Sequence, residues 1–142
     1  MLKNKSSIVS ALKYAAPYIR LFKNKIFVIK VGGELFTDKV LTRKLIEQIA
    51  ILQQLGIRII LIHGGGIQST QMASSLGIEA QFVEGRRITD AKSIEIATMI
   101  LNGKINTQIL AVAREFDLNA IGMSGIDAGL INAHRREALK TK

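Results

Sequence analysis

Cysteine and tryptophan are both absent from this chain of 142 residues, which also has a single proline and few aromatic residues. Without cysteine there can be no disulfide framework, no thiolate metal site and no thiol nucleophile, which favours an intracellular protein. No apolar run approaches the roughly 20 residues that a membrane-spanning helix needs, and no signal peptide precedes the first predicted strand. We therefore expect a soluble, cytoplasmic protein of one compact domain, with no membrane partner.

The net charge is +9, and the basic residues are concentrated at the two ends of the chain. Residues 1–25 contain six bases and no acid, and residues 134–142 contain four bases and one acid, so residues 26–133 are neutral overall. A nucleic-acid groove through the body of the fold would need clustered bases in that neutral part. We therefore expect no nucleic-acid partner.

The first 25 residues form a basic arm whose apolar residues recur at helical spacing, namely Ile8, Leu12, Ala15, Ile19 and Phe22. This spacing predicts a short amphipathic helix, interrupted near Pro17 because proline cannot donate a helix hydrogen bond. The pattern favours a structural arm that packs or makes oligomer contacts. An organelle transit peptide is the alternative for a basic segment without acids.

After the arm, the hydrophobic pattern alternates between strands and helices. Strands are predicted at 26–31 and 57–62, and helices at 41–55 and 67–76, each helix closed by a glycine. Short connections in this order predict a parallel sheet with right-handed crossovers and helices on both faces. The predicted fold class is therefore α/β, a three-layer αβα sandwich with a mainly parallel sheet, preceded by the helical arm.

The rest of the chain continues without an internal repeat or a linker to a second domain. Its predicted elements are an extended piece at 81–83, a helix at 91–101 capped by Thr89 or Asp90, a break at Asn102-Gly103, a helix at 104–116, and a strand at 118–122.

Two glycine-rich loops follow the first two predicted strands, Gly32-Gly33 and Gly64-Gly65-Gly66. Backbone amides of such a loop at the start of a helix can bind phosphate or carboxylate, although glycines also serve tight turns. Ligands of open α/β sheets bind at the carboxyl ends of the strands, so the two loops should converge on one pocket. Neither GxxxxGK[ST] nor GxGxxG is present.

Several side chains near these loops have both a structural and a functional interpretation. Lys30 either extends to solvent at the strand end or, as we favour, places its ammonium on a phosphoryl group. Of Arg86 and Arg87, one can be a surface charge while the other binds a carboxylate. His63 is expected to support the turn rather than act as a base, because no serine and acid accompany it. Asp127 suits either the edge of a site or a loop turn.

Four segments carry a resemblance to a known family: Lys30-Val-Gly-Gly33, His63-Gly-Gly-Gly66, Gly85-Arg-Arg-Ile-Thr-Asp90 and Gly122-Met-Ser-Gly-Ile-Asp127. In this order and spacing they resemble the amino-acid kinase family in its acetylglutamate kinase branch, which includes the kinase-like domain of N-acetylglutamate synthases. The resemblance covers residues 26–133. It implies an arm at 1–25, followed at 26–142 by the N-terminal, acceptor-binding part of a kinase domain without its nucleotide lobe.

The resemblance also implies a reaction, in which ATP with Mg²⁺ phosphorylates the γ-carboxylate of N-acetyl-L-glutamate in arginine biosynthesis. The implied roles are Lys30 as transition-state stabiliser, Gly33, Gly65 and Gly66 as amide donors to the phosphoryl group and acceptor, Gly32 and Gly64 as parts of the phosphate loops, and Arg87 on a carboxylate of the acceptor. No metal ligand is implied in this chain. In similar proteins the arm supports a homo-oligomer near a site for arginine.

The departures from the family pattern matter as well. Glu34 stands at a position where glutamate is frequent in the synthases, whereas the intact Lys30 and glycine triplet favour a kinase. The family's distal asparagine, its organising aspartate and its second phosphate-binding lysine have no counterpart, so we expect no turnover by these residues alone. Two alternatives remain: a regulatory, arginine-sensing and oligomerising domain of an N-acetylglutamate synthase, and a kinase of the same fold for another acid or a nucleotide.

Overall fold

A computed structural model describes residues 5–78, 82–83 and 86–134 of the chain. The helices are α1 (Lys5–Phe22), α2 (Lys39–Gln54), α3 (Gly66–Ser75), α4 (Ala91–Thr98) and α5 (Asn106–Glu115). The strands are β1 (Ile26–Val31), β2 (Arg58–His63), β3 (Phe82–Val83) and β4 (Arg86–Arg87). Short 3₁₀ helices cover Gly33–Thr37 and Asp127–Gly129, and a π-helical segment, Met99–Ile105, joins α4 to α5.

The centre of the fold is the parallel pair β1 and β2, which are in register from Ile26 opposite Arg58 to Val31 opposite His63. Because side chains alternate along a strand, each strand presents one residue in two to the helices. Ile29, Val31, Ile59 and Leu61 pack against the buried core on that side. The β-branched composition of both strands fits this half-buried setting.

The hydrophobic core lies between this inner face of the sheet and the helices. Its buried members come from the 3₁₀ helix, from α2 to α5 and from the π-helical segment: Phe36, Ile46, Ile49, Ala73, Ile96, Ile100, Ile105, Ile109 and Ala113. A surface ion pair between Arg43 of α2 and Glu115 of α5 ties two of these helices together, and the Arg43 guanidinium lies 4.7 Å from the centre of the Phe116 ring. The packed helices therefore form one layer.

The opposite face of the sheet, which we call the open face, consists of Ile26, Val28, Lys30, Arg58, Ile60 and Ile62. Its apolar side chains are strongly exposed: Val28 is 62% exposed, Ile60 51% and Ile62 49%. No helix among the described residues covers these side chains. The parallel sheet and the helical N-terminal segment confirm the predicted α/β fold class.

Most element boundaries agree with the sequence prediction to within a few residues. Gly56 and Gly77, predicted as stop signals, adopt φ angles of 85° and 69°, the left-handed region in which glycine ends a helix without strain. Asp90 caps α4, since its Oδ1 accepts the Ser93 N–H at 2.8 Å. Gln81 of the predicted extended piece lies outside the described residues.

Two predicted interruptions of helices are wrong. Pro17 lies inside a continuous α1. Because this helix is exposed, water can hydrogen-bond to the one carbonyl that the proline leaves without an N–H partner. The expected break at Asn102-Gly103 does not occur, because the chain passes from α4 to α5 through the π-helical turns of Met99–Ile105. The wider turn keeps Ile100 and Ile105 buried on the same side.

One predicted strand is wrong, and one short strand was not predicted. The strand expected at 118–122 is absent from the described structure, and this stretch has no regular secondary structure. A strand needs a partner for its backbone groups, and in the described sheet β1 pairs only with β2. Arg86 and Arg87, for which no secondary structure was predicted, form β4, which pairs antiparallel with β3. No described helix is long and apolar enough to cross a bilayer.

The start of α2 allows a first test of the fold. Asp38 caps this helix, because its Oδ1 accepts the N–H groups of Val40 at 2.7 Å and Leu41 at 3.1 Å. We predict that Asp38→Ala lowers the free energy of unfolding by about 1 kcal/mol, as expected for a lost N-cap. Urea unfolding followed by circular dichroism measures this change. Asp38→Asn retains the acceptor and is the control, and equal losses in both variants would contradict the capping role.

Candidate functional site

The two glycine loops meet at the carboxyl ends of β1 and β2, with backbone packed directly on backbone. A Cβ placed on Gly33 would lie 2.7 Å from the Gly65 Cα and 2.8 Å from the Gly65 nitrogen. A Cβ on Gly64 would lie 3.2 Å from the Gly33 nitrogen. Side chains at these positions would push the loops apart, so glycine is required by the close approach. We call this crossing of the loops the cradle.

The three glycines of the second loop differ in their surroundings. The N–H of Gly64 donates to the Val31 carbonyl at 2.9 Å, which extends the ladder between the strands by one residue. The Gly64 N–H is therefore occupied by a hydrogen bond within the sheet. Gly65 is buried, and Gly66 begins α3 and is exposed. The ten-residue α3 therefore directs its positive, N-terminal end at the cradle.

The π-helical segment supports the cradle from below. A Cβ on Gly65 would lie 2.6 Å from Cδ1 of Ile105 and 2.7 Å from Cδ2 of Leu101, so these two side chains fill the space beneath the loop. π-helical turns are often found at functional sites. Here the turn places two large apolar side chains against the glycine, which holds the loop in place.

Gln68, in the first turn of α3, is the part of the cradle that sequence reasoning missed. Its side chain is buried, and Nε2 donates to the Gly33 carbonyl at 2.5 Å. Its Oε1 is buried and accepts no hydrogen bond from any described group. The sequence did contain a signal for the burial of Gln68. Gln68 and Met72 are four residues apart, as are Ser69 and Ala73, and this helical spacing places all four on the inner side of α3.

Lys30 lies on the open face of the sheet and is exposed. It is the penultimate residue of β1, immediately before Val31 and the first glycine loop. No described contact ties its side chain to the loops. His63 supports the turn, with its Nδ1 3.5 Å from the Gly64 carbonyl oxygen and its ring edge-on to Phe36 at 6.0 Å.

Arg87 is placed only by its backbone, which pairs with Phe82 in the short β3–β4 ribbon. Its side chain is outside what the structure describes, and so is that of Arg86. Ile88, Thr89 and Asp90 connect the ribbon to α4. The predicted carboxylate-binding residue therefore stays a prediction.

Asp127 closes a turn in the loop after α5. Its Oδ2 accepts the Ser124 N–H at 2.5 Å and the Ser124 hydroxyl at 3.0 Å. These hydrogen bonds, first that from the N–H, hold the pKa of Asp127 below its usual value. The loop borders a small polar cavity shared with Asn102 and Asn106. The geometry supports the loop-turn interpretation of Asp127.

The site that these elements build is a glycine-lined cradle at the carboxyl ends of two parallel strands. A model of the amino acid kinase family matches residues 25–142, which includes both glycine loops, the ribbon and the loop at Asp127. The chain belongs to the amino acid kinase family.

Within that family, the chain is similar to acetylglutamate kinases. It is 43% identical over 129 residues to the acetylglutamate kinase of Chlorobium chlorochromatii and 46% identical over 129 residues to that of Campylobacter hominis. Each match covers 91% of this chain, but only 45% and 46% of the respective relative. The chain therefore spans less than half the length of the curated relatives it matches.

Two solved structures of the N-acetylglutamate synthase from Neisseria gonorrhoeae share the fold. The complex with coenzyme A and N-acetyl-glutamate superposes with a TM-score of 0.68 at 29% identity, covering 80% of this chain and 26% of the synthase. The complex with coenzyme A and L-arginine gives a TM-score of 0.61 at 31% identity, covering 73% and 24%. Both agree with the α/β fold class.

A matched pair of glycine substitutions tests the cradle. We predict that Gly65→Ala lowers the free energy of unfolding by about 1–3 kcal/mol, because its methyl group collides with Ile105 and Leu101. Gly66→Ala is the control, since a Cβ there meets nothing within 4 Å. Thermal and urea unfolding measure both. Equal stability of the two variants would contradict the packing described here.

The loop at Asp127 has a defined pH dependence. The carboxyl of Asp127 has a lower pKa in the folded chain than in the unfolded chain, where the value is about 3.9. At pH values above about 3.9 its hydrogen bonds stabilise the loop fully, and this stabilisation is lost as the pH falls through the folded pKa. We therefore expect the Ser124 amide proton resonance to stay constant from neutral pH to about pH 4 and to shift only in stronger acid. An NMR titration measures this, with Asp127→Asn as the non-titrating control. A midpoint above pH 4 would contradict the hydrogen-bonded turn.

Proposed function

We propose that this chain is the acceptor-binding half of an acetylglutamate kinase, which holds N-acetyl-L-glutamate while ATP phosphorylates its γ-carboxylate in arginine biosynthesis. The observation that carries the proposal is the cradle, where Gly33 packs on Gly65. Such a cradle offers amides and a helix N-terminus to an anion. The identity of 43–46% to acetylglutamate kinases supports N-acetyl-L-glutamate as the acceptor.

The proposed chemistry needs no strong base. A γ-carboxylate with a reference pKa of about 4.3 is already ionised near neutrality, so it can attack phosphorus directly. The protein then has to align the acceptor and neutralise the charge on the transferring phosphoryl group. We assign the amides of Gly33, Gly65 and Gly66 to the acceptor and phosphoryl group, and Lys30 to phosphoryl charge. Gly32 and Gly64 shape the loops.

Arg87 is assigned to a carboxylate of N-acetyl-L-glutamate. A guanidinium can hold a carboxylate with two parallel hydrogen bonds, which gives orientation as well as affinity. The ribbon of β3 and β4 leads directly into α4, whose end continues into the π-helical segment beneath Gly65. This connection supports a role for the ribbon beside the cradle.

The proposal covers half of the reaction. Because the chain spans less than half the length of the kinases it matches, we assign it the acceptor and expect no turnover by these 142 residues alone. No group of three or more acidic, histidine or cysteine side chains that could hold a metal occurs among the described residues. We assign no Mg²⁺ ligand to the described residues, and no step proposed here depends on one.

We also propose a two-part organisation and an assembly. Residues 1–25 are the arm and residues 26–142 the kinase part, acting in the cytoplasm. α1 exposes large apolar side chains along its length, including Ile8, Leu12, Tyr18 and Leu21. Burial of such side chains favours association, so α1 is assigned to a homo-oligomer contact.

The second candidate function is the regulatory kinase-like domain of an N-acetylglutamate synthase, which binds arginine and organises an oligomer. The likeness to the two synthase structures favours it, since one of them was solved with L-arginine. Glu34 supports it as well. The intact Lys30 and glycine triplet favour the kinase.

Calorimetric titration of the chain with N-acetyl-L-glutamate, ATP and L-arginine separates the two candidates. We predict that N-acetyl-L-glutamate binds, and that Arg87→Ala weakens this binding at least about tenfold through loss of a charge-assisted hydrogen bond. Arg86→Ala is the matched control, because it removes the same charge from the neighbouring position of β4. L-arginine binding without N-acetyl-L-glutamate binding would overturn the kinase proposal in favour of the regulatory domain.

A further inference from the structure

Gln68 connects the two glycine loops through a hydrogen bond that spans 35 residues of sequence. Its Nε2 donates to the Gly33 carbonyl at 2.5 Å, while its own backbone belongs to the first turn of α3, three residues after Gly65. The side chain is only 6% exposed. It is thus a fixed link between the loop after β1 and the helix after β2.

The orientation of the amide is determined by its partner. A carbonyl can only accept, so the NH₂ group of Gln68 is the group directed at the Gly33 oxygen. Its Oε1 lies 2.8 Å from the position that a Cβ on Gly33 would occupy. That oxygen is buried and accepts nothing from the described groups. A buried acceptor without a donor destabilises the fold, and an apolar side chain of the same shape would avoid this cost. The presence of an amide side chain at this position is therefore explained by the hydrogen bond that its NH₂ group donates to Gly33.

The donor acts on the first residue of the 3₁₀ helix Gly33–Thr37, whose carbonyl is already constrained by that helix. Glycine tolerates a wide range of backbone angles, so without a further contact the peptide at this helix end could turn its carbonyl towards the cradle and present its negative end to an anion. The hydrogen bond from Gln68 adds to the helix in holding the carbonyl back. Because the peptide is planar and trans, the N–H of the same peptide, on Glu34, points the opposite way from the carbonyl.

We propose that Gln68 is a positioning residue of the cradle: it holds the Gly33 carbonyl away from the bound anion and thereby fixes the peptide that faces a carboxylate or phosphoryl group. The nature of the anion, the γ-carboxylate of N-acetyl-L-glutamate, rests on the function proposed above. The positioning itself rests on the contact between Gln68 and Gly33.

The decisive variant is Gln68→Glu, which keeps the shape of the side chain but can donate to Gly33 only when its carboxyl is protonated. Burial raises the pKa of such a carboxyl, so protonation falls within an accessible range of pH. The matched control is Gln71→Glu, which adds the same charge to an exposed position one turn further along α3. Glu34 and His63 are ionisable neighbours of the loops in every variant, so each profile is divided by that of the wild-type chain.

The measurement is calorimetric titration with N-acetyl-L-glutamate from pH 5.5 to 8. At pH 8 we expect Gln68→Glu to bind at least about tenfold more weakly than Gln71→Glu, and at pH 5.5 we expect the difference to shrink to about threefold or less. Gln68→Met, an apolar side chain of similar length, should bind weakly at every pH. Circular dichroism at each pH confirms that the variants are folded.

Binding by Gln68→Glu that follows Gln71→Glu at every pH, or wild-type binding by Gln68→Met, would overturn the positioning role. If the wild-type chain binds no N-acetyl-L-glutamate, the proposed function fails, and the positioning role is decided on the unliganded chain. There, NMR should show Glu34 amide exchange that is faster in Gln68→Glu than in Gln71→Glu at pH 8 and similar in both at pH 5.5. Equal exchange at both pH values would refute the positioning role as well.

Discussion

The structure depends on one close contact, the packing of the Gly33 backbone on the Gly65 backbone. The parallel register of β1 and β2 brings both loops to the same edge of the sheet, and the Gly64 amide extends that register by one more hydrogen bond. Ile105 and Leu101 support the contact from below. Because neither loop has a side chain at the contact, its geometry is set by the surrounding elements rather than by the loops themselves.

The sequence predicted the elements whose signals are local. The two strands, the helices after them and the glycine ends at Gly56 and Gly77 follow from periodicity and from the conformational freedom of glycine. The π-helical segment and the missing strand at 118–122 could not be predicted in this way. In both cases the outcome depends on distant partners: the buried face that Ile100 and Ile105 share with the core, and the strand neighbour that 118–122 lacks among the described residues.

The candidate site was predicted in the same partial way. The convergence of the two glycine loops follows from strand order, since parallel strands end at the same edge. Gln68 was missed because a glutamine in a helix is usually a solvent-facing residue, and only the packing of α3 shows it to be buried. The position of Lys30 on the open face was available from alternation, because it neighbours the inward-facing Val31. Alternation does not show how the Lys30 side chain relates to the cradle.

The open face also affects how the chain unfolds. In most domains of this size, unfolding transfers both faces of the central sheet into water, and the heat capacity rises accordingly. Here Val28, Ile60 and Ile62 already contact water in the folded state. Among the described residues, the apolar surface newly exposed on unfolding comes mainly from the core between the helices and the inner face of the sheet. The chain should therefore show a small heat-capacity increment and a shallow denaturant dependence for its length, the calorimetric sign of a fold with half its sheet still in solvent.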